Sequence, residues 1–169
     1  MDNVNVYFSP KGGCEAAIVK AIQDAKATIA VLAYSFTSEP IAKALVKAND
    51  RGLAVSVVFD KDTVKNPKDA TKRILKSNVE VMVDSEHAIA HNKVMVIDES
   101  IVITGSFNFT NAAENKNAEN VLIISDNDIA SLYHGNWINH YFHSKKVKNE
   151  KVCKSQKKKT SSKKSRDRK

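Results

Sequence analysis

Two apolar runs, Thr28 to Phe36 and Leu53 to Phe59, constrain the fold more than anything else in this chain. Each has strand length, and each is too continuously apolar for a strand with one wet face. Both suit strands buried on two faces. The stretches between and before them carry helical spacing. Glu15 to Lys26 is rich in Ala, Ile and Val and reads as a helix. Ser38-Glu39-Pro40 offers a capping hydroxyl followed by an early proline. Ile41, Ala44, Leu45 and Ala48 then recur at i, i+3, i+4 and i+7, until Asp50-Arg51-Gly52 ends the helix. Val4 to Phe8 alternates and reads as a first strand, with a turn at Gly12-Gly13. Downstream, Lys61 to Lys68 is polar and reads as a loop. Ala70 to Lys76 suits a short helix and Val79 to Val83 a strand. Strand-helix-strand order implies right-handed parallel crossovers. The expected fold is therefore α/β: a mixed, largely parallel-cored sheet flanked by helices.

The second half adds chemistry. His91 to Asp98 and Ile101 to Thr104 read as two strands joined by a tight turn at Glu99-Ser100. Glu119 to Ser125 is a further strand, and Ile129, Leu132, Tyr133, Trp137 and Tyr141 mark one face of a final helix. Across the first two of these strands runs the pattern H-x-K-x(4)-D-x(6)-G-S-x-N, formed by His91, Lys93, Asp98, Gly105, Ser106 and Asn108. Residues two apart in a strand share a face, so Lys93 can lie beside His91. The next strand is expected to run back antiparallel and deliver Ser106 and Asn108, again two apart. This places a nucleophile, a cation and two neutral hydrogen-bonding side chains together. Phosphodiester hydrolysis needs such groups. A neutral imidazole can attack phosphorus and divide one hard step into two. A fixed ammonium and an uncharged amide can stabilise the phosphoryl oxygens. Asp98 sits at the far end of its strand. Five residues of strand span about 16 Å, so it cannot touch the same phosphate, and it reads as a structural anchor of the turn.

The pattern resembles that of the phospholipase D superfamily. Gly105-Ser106-Phe107-Asn108-Phe109-Thr110, Ala112-Ala113-Glu114, Asn117-Ala118-Glu119-Asn120 and the upstream Ala33-Tyr34-Ser35-Phe36-Thr37 look like its small bacterial endonucleases. The resemblance covers most of residues 4 to 143. It implies a phospholipase D-like α/β sandwich with catalytic His91, Lys93, Asn108, Ser106 and Glu119. It also implies a covalent phosphohistidine intermediate and chemistry that needs neither metal nor cofactor. In the resemblance the matching Glu, here Glu119, orients the nucleophilic imidazole through its second nitrogen, fixing the tautomer. Many members carry two copies of the motif and this chain carries one. A homodimer with the active site at the subunit interface would supply the second His91, the two imidazoles titrating as a coupled pair.

Charge divides the chain. The whole carries +8, but residues 144–169 alone hold +11, leaving −3 on the first 143. The expected organisation is a catalytic domain over 1–143 and a basic, disordered tail over 144–169. Such a tail attracts polyanions through counterion release. The expected partner is nucleic acid, DNA with RNA left open, and a membrane surface comes second. Cys14 and Cys153 carry no metal-ligand spacing and no expected disulfide. Met1-Asp2-Asn3-Val4 lacks the basic start and apolar run of a secretory signal. The expectation is a cytoplasmic protein, with export the alternative if a signal has been trimmed. The remaining histidines invite ordinary readings: His87 as a loop residue, and His134, His140 and His143 as surface or packing residues of the last helix. Phe107 and Phe109 read as core, and Trp137 as a core anchor. The leading function is a sequence-nonspecific endonuclease independent of metal. A phospholipid or cardiolipin-type hydrolase is the alternative, and an inactive nucleic-acid-binding module the third reading.

Overall fold

The computed structural model describes residues 3–147. In chain order the elements are β1 (Val4–Ser9), α1 (Cys14–Asp24), β2 (Thr28–Ala33), α2 (Glu39–Asp50), β3 (Ala54–Asp60) and α3 (Lys61–Lys65). They continue with α4 (Asp69–Leu75), β4 (Glu80–Asp84), β5 (Lys93–Ile97), β6 (Ile101–Gly105), α5 (Asn111–Asn115), β7 (Glu119–Ser125), α6 (Asn127–His143) and β8 (Lys145–Lys146). The strands form one mixed sheet in the order β1-β7-β6-β5-β2-β3-β4-β8. Pairing is parallel between β2 and β3 and between β3 and β4, and antiparallel elsewhere.

Period-two alternation builds both faces of the sheet. Ile29, Val31, Met95 and Ile97 meet Ile18, Ile22, Ile41 and Leu45 of α1 and α2 on one side. Ala30, Leu32, Val94 and Val96 meet Ala130 and Trp137 of α6 on the other. All five residues of β5 are buried, and so are all of β2 after Thr28. Each large apolar side chain so buried contributes about 1.5–3 kcal/mol, which makes this pair of strands the centre of the molecule. The α2 start is capped as the sequence predicts. The Ser38 hydroxyl accepts from the Ile41 amide at 3.2 Å and donates to Glu15 Oε2 at 2.5 Å, fastening α2 to α1. Trp137 Nε1 donates to the Val31 carbonyl at 3.1 Å, pinning α6 across the sheet.

Several expectations change in detail. The first strand runs in the same direction as β2, but β7, β6 and β5 lie between them, so β1 is an edge strand paired with β7. The run from Thr28 leaves the sheet after Ala33, because Phe36 turns into the core between Phe59 and Phe109. The expected loop over 61–68 contains the short α3, whose start is capped by Asp60 accepting from the Asp62 amide at 2.9 Å. The domain end expected at 143 falls short of the described fold. Lys145 and Lys146 pair with Val83 and Met82, and the Val147 amide donates to the Val81 carbonyl at 2.9 Å. The rest of the expected tail, with Cys153, lies outside the described residues.

Candidate active site

The site forms where β5 begins and β6 ends. Antiparallel pairing of these strands brings the two halves of the motif to one end of the sheet, as expected from the sequence. His91 precedes β5 and is exposed, whereas Lys93, its first residue, is only 8% exposed. The Lys93 ammonium lies 3.0 Å from His91 Nδ1 and donates to the His91 carbonyl at 2.6 Å. Burial pushes Lys93 below the ordinary lysine range, and the Glu119 charge opposes that fall. Asn108 lines the same cleft, and its buried Oδ1 has no hydrogen-bond partner. A buried amide oxygen left unpaired is costly, so Asn108 Oδ1 calls for a donor, while its Nδ2–H is the group able to donate to a phosphoryl oxygen.

Ser106 and Glu119 meet across neighbouring strands. Ser106 Oγ donates to Glu119 Oε2 at 2.6 Å and accepts from the Asn120 amide at 3.1 Å. Glu119 Oε1 accepts from Asn117 Nδ2 at 3.0 Å, and its own amide donates to Ser9 Oγ at 3.1 Å. Glu119 makes no hydrogen bond to His91 within the chain. Its oxygens are taken by Ser106 and Asn117, and Lys93 holds His91 Nδ1. The role implied by the resemblance, a carboxylate on the second imidazole nitrogen, is therefore not formed in this arrangement. Gly105 lets β6 and β7 approach at this point. Its φ is +148°, and a Cβ there would stand 2.2 Å from the Asn120 carbonyl oxygen.

His91, Asn92, Lys93, Thr104, Ser106, Asn108 and Glu119, with Val94, Gly105 and Tyr133, line a cleft of about 550 Å³. All five expected site residues thus share one cavity. Asp98 is absent from it. Its carboxylate accepts from the amides of Lys26 (2.8 Å), Ala27 (2.8 Å) and Thr28 (2.9 Å) at the start of β2. Burial alone would raise the Asp98 carboxyl, but these three amides hold it below the usual carboxylate range. It anchors the turn, as read from the sequence, by tying it to the α1–β2 connection.

Two aromatic residues were not picked out by the motif. The Tyr34 ring stands 4.6 Å from the His91 ring and 5.3 Å from the Lys93 ammonium, and Tyr133 comes from α6. The signal for Tyr34 was its place at the end of the strand that pairs with β5. Phe107 and Phe109 are core, as expected. His134 stacks on Trp137 at 5.8 Å and is a packing residue. The ordinary readings of His87, His140 and His143 need correction. All three converge on Asp84, which is fully buried, because β4 and the end of α6 lie side by side. The paired spacings Asp84-x-x-His87 and His140-x-x-His143 were the available signal.

Comparison with known proteins bears on the same residues. The family described as "Cardiolipin synthase, PLD-like domain" matches residues 18–141. Phospholipase D of Rickettsia conorii is 40% identical over 136 residues, covering 80% of this chain and 68% of that one. Human mitochondrial cardiolipin hydrolase is 29% identical over 116 residues, covering 69% of this chain and 46% of that protein. Among solved structures, the phospholipase D family member Nuc from Salmonella typhimurium superposes with a TM-score of 0.80 at 37% identity. The match spans 86% of this chain and 97% of Nuc.

Proposed function

The chain belongs to the phospholipase D superfamily, as a phosphodiesterase of the small single-motif type, and from that premise we propose that it is an endonuclease cleaving nucleic-acid phosphodiesters through His91. The observation that carries this reading is the polarity of the cleft. Around His91 the hydroxyls of Thr104 and Ser106, the amides of Asn92 and Asn108, the Lys93 ammonium and the Glu119 carboxylate make up about half of the lining, a larger polar share than in the groove at the other end of β5, and this suits a sugar-phosphate backbone. A more apolar groove, lined by Tyr7, Ala17, Ala21, Ile97 and Ile123, lies at the Asp98 end of β5, about 16 Å from Lys93.

In this reading the His91 imidazole forms a P–N bond while the P–O bond to the leaving oxygen breaks. Lys93 leaves Nδ1 for a phosphoryl oxygen, and Asn108 donates its Nδ2–H to a second one. Ser106 holds Glu119, whose charge keeps Lys93 protonated. The leaving oxygen takes a proton from a second imidazole, which then deprotonates the water that breaks the P–N bond. Among the described residues no second histidine lines the cleft, so the acid comes from His91 of a second copy. An exposed apolar stripe beside the site fits such a dimer. Val4, Val6 and Phe8 of edge strand β1 are 42%, 50% and 65% exposed, and Phe8 lies opposite Asn120 in the β1–β7 register.

The names of the Rickettsia and mitochondrial relatives favour a second reading, hydrolysis of a phospholipid by the same chemistry. One experiment separates the two. Supercoiled plasmid and cardiolipin vesicles are offered in excess EDTA to wild type and to His91→Ala, with folding checked by circular dichroism. The expected outcome is nicking by wild type alone, at a rate at least on the order of 10⁴-fold above the variant. Release of phosphatidyl product without nicking would replace the nuclease reading with the lipid one.

A further inference from the structure

We propose that Asp84, His87, His140 and His143 form a closed four-ligand site for a divalent transition metal, zinc by its donor set, separate from the catalytic cleft. One ligand atom from each residue lies within 4.8 Å of all the others. They come from two pairs spaced three apart. Asp84 ends β4 and His87 follows in the loop, while His140 and His143 share a face of the last turn of α6.

Hydrogen bonding alone explains the arrangement poorly. Asp84 Oδ2 faces three ring nitrogens at once: His87 Nδ1 at 2.9 Å, His140 Nδ1 at 2.8 Å and His143 Nε2 at 3.0 Å. One carboxylate oxygen has two lone pairs, so three N–H donors on it are one too many. The other oxygen is already occupied by the amides of Glu86 and His87, at 3.1 and 3.3 Å. Were all three rings protonated, three cations with centroids only 4.9–5.3 Å apart would face a single anion. A metal removes the conflict. Neutral imidazoles turn lone pairs inward, and the fully buried carboxylate supplies the negative charge.

The geometry is close to what such an ion needs. Tetrahedral zinc binds nitrogen and oxygen at about 2.0–2.2 Å, which sets its ligand atoms roughly 3.4 Å apart. The observed distances bracket that spacing: 2.8–3.0 Å from Asp84 Oδ2 to each ring nitrogen, with no pair of ligand atoms beyond 4.8 Å. On the outer side, Glu86 Oε2 lies 3.9 Å from His143 Nδ1, and Lys61 Nζ donates to the His87 backbone carbonyl at 2.9 Å. Four protein ligands leave no open position, so the role is structural. The ion would clamp the end of α6 to β4 and to the loop that carries His91 four residues later. It cannot share the catalytic phosphate, since β5 and β4 are three places apart in the sheet, about 14 Å.

The test uses the full chain stripped with a chelator, dialysed, and titrated with zinc chloride against a chromogenic competitor. One equivalent should bind and raise the melting temperature. Cobalt(II) should give the intense visible band of a tetrahedral site. The double variant H140Q/H143Q should lose at least about 100-fold in affinity and show no zinc-dependent shift in melting. His91→Ala should bind as wild type does. No uptake by wild type, of zinc or of cobalt, overturns the proposal whether or not the variants fold. So does binding that survives in H140Q/H143Q but falls in Cys153→Ser, which would put the metal on the tail thiol.

Discussion

Lys93 is 8% exposed, and burial pulls its ammonium toward deprotonation while the Glu119 carboxylate resists. In the proposed mechanism the enzyme needs the charged form, so activity falls as pH rises through the Lys93 pKa. Glu119→Gln removes the opposing charge, and the alkaline limb of the pH–rate profile should move to lower pH. An unmoved limb would take Glu119 out of this role. Asp98 is fixed by the same motif and does something else. Its three amide donors hold its carboxyl below the usual range, so its stabilisation is present above the unfolded-state pKa of about 3.9 and is lost as pH falls through the lower folded value. Asp98→Ala should cost about 2 kcal/mol in urea unfolding at neutral pH, a figure discounted for partial exposure. The variant and wild-type curves should converge on acidification, and turnover per folded molecule should not change. The motif makes Lys93 and Asp98 equally prominent. Their separate tasks follow from a strand length that simple geometry already forbids both to share.

At the scale of elements, the site depends on how β6 and β7 are brought together. Gly105 sits in the left-handed region with the Asn120 carbonyl where a Cβ would go, one residue before Ser106 and across from the start of β7. Gly105→Ala should force the strands apart, cost at least about 2 kcal/mol and break the Ser106–Glu119 hydrogen bond. Thermal unfolding together with activity would show both losses. A variant as stable and as active as wild type would remove the close approach from the argument. Most elements were legible from periodicity and capping residues: the buried runs of β2 and β3, the Ser38 cap of α2, and the hairpin of β5 and β6. The place of β1 was not. Alternation marks it as a strand, but partner choice is made by β7, more than a hundred residues later. The same separation hid the convergence of α6 on Asp84.

For the whole molecule, charge and assembly act together. The sequence puts +11 on residues 144–169, and among the described residues Lys145 and Lys146 of that stretch join the sheet. We propose that the remainder holds the nucleic acid. A chain ending at Val147 should bind DNA more weakly, with a shallower salt dependence, by roughly one unit of log–log slope for each phosphate that the tail neutralises. An identical slope would leave the tail without that role. In sedimentation the active species should be the dimer, and a fully active monomer would remove the second His91 from the mechanism.

The sequence by itself determined the α/β class, the buried centre of the sheet and the five motif-linked side chains that share the cleft. Hydrophobic period, capping chemistry and motif spacing act over a few residues and can be read locally. Only the tertiary structure decided which of those residues touch. It gave Ser106 to Glu119, set Tyr34 beside His91, left Asn108 Oδ1 without a partner, and drew three unremarkable histidines onto one buried carboxylate. Those contacts join strands and helices far apart in the chain. They exist because burying both faces of one sheet fixes the relative positions of everything packed on it.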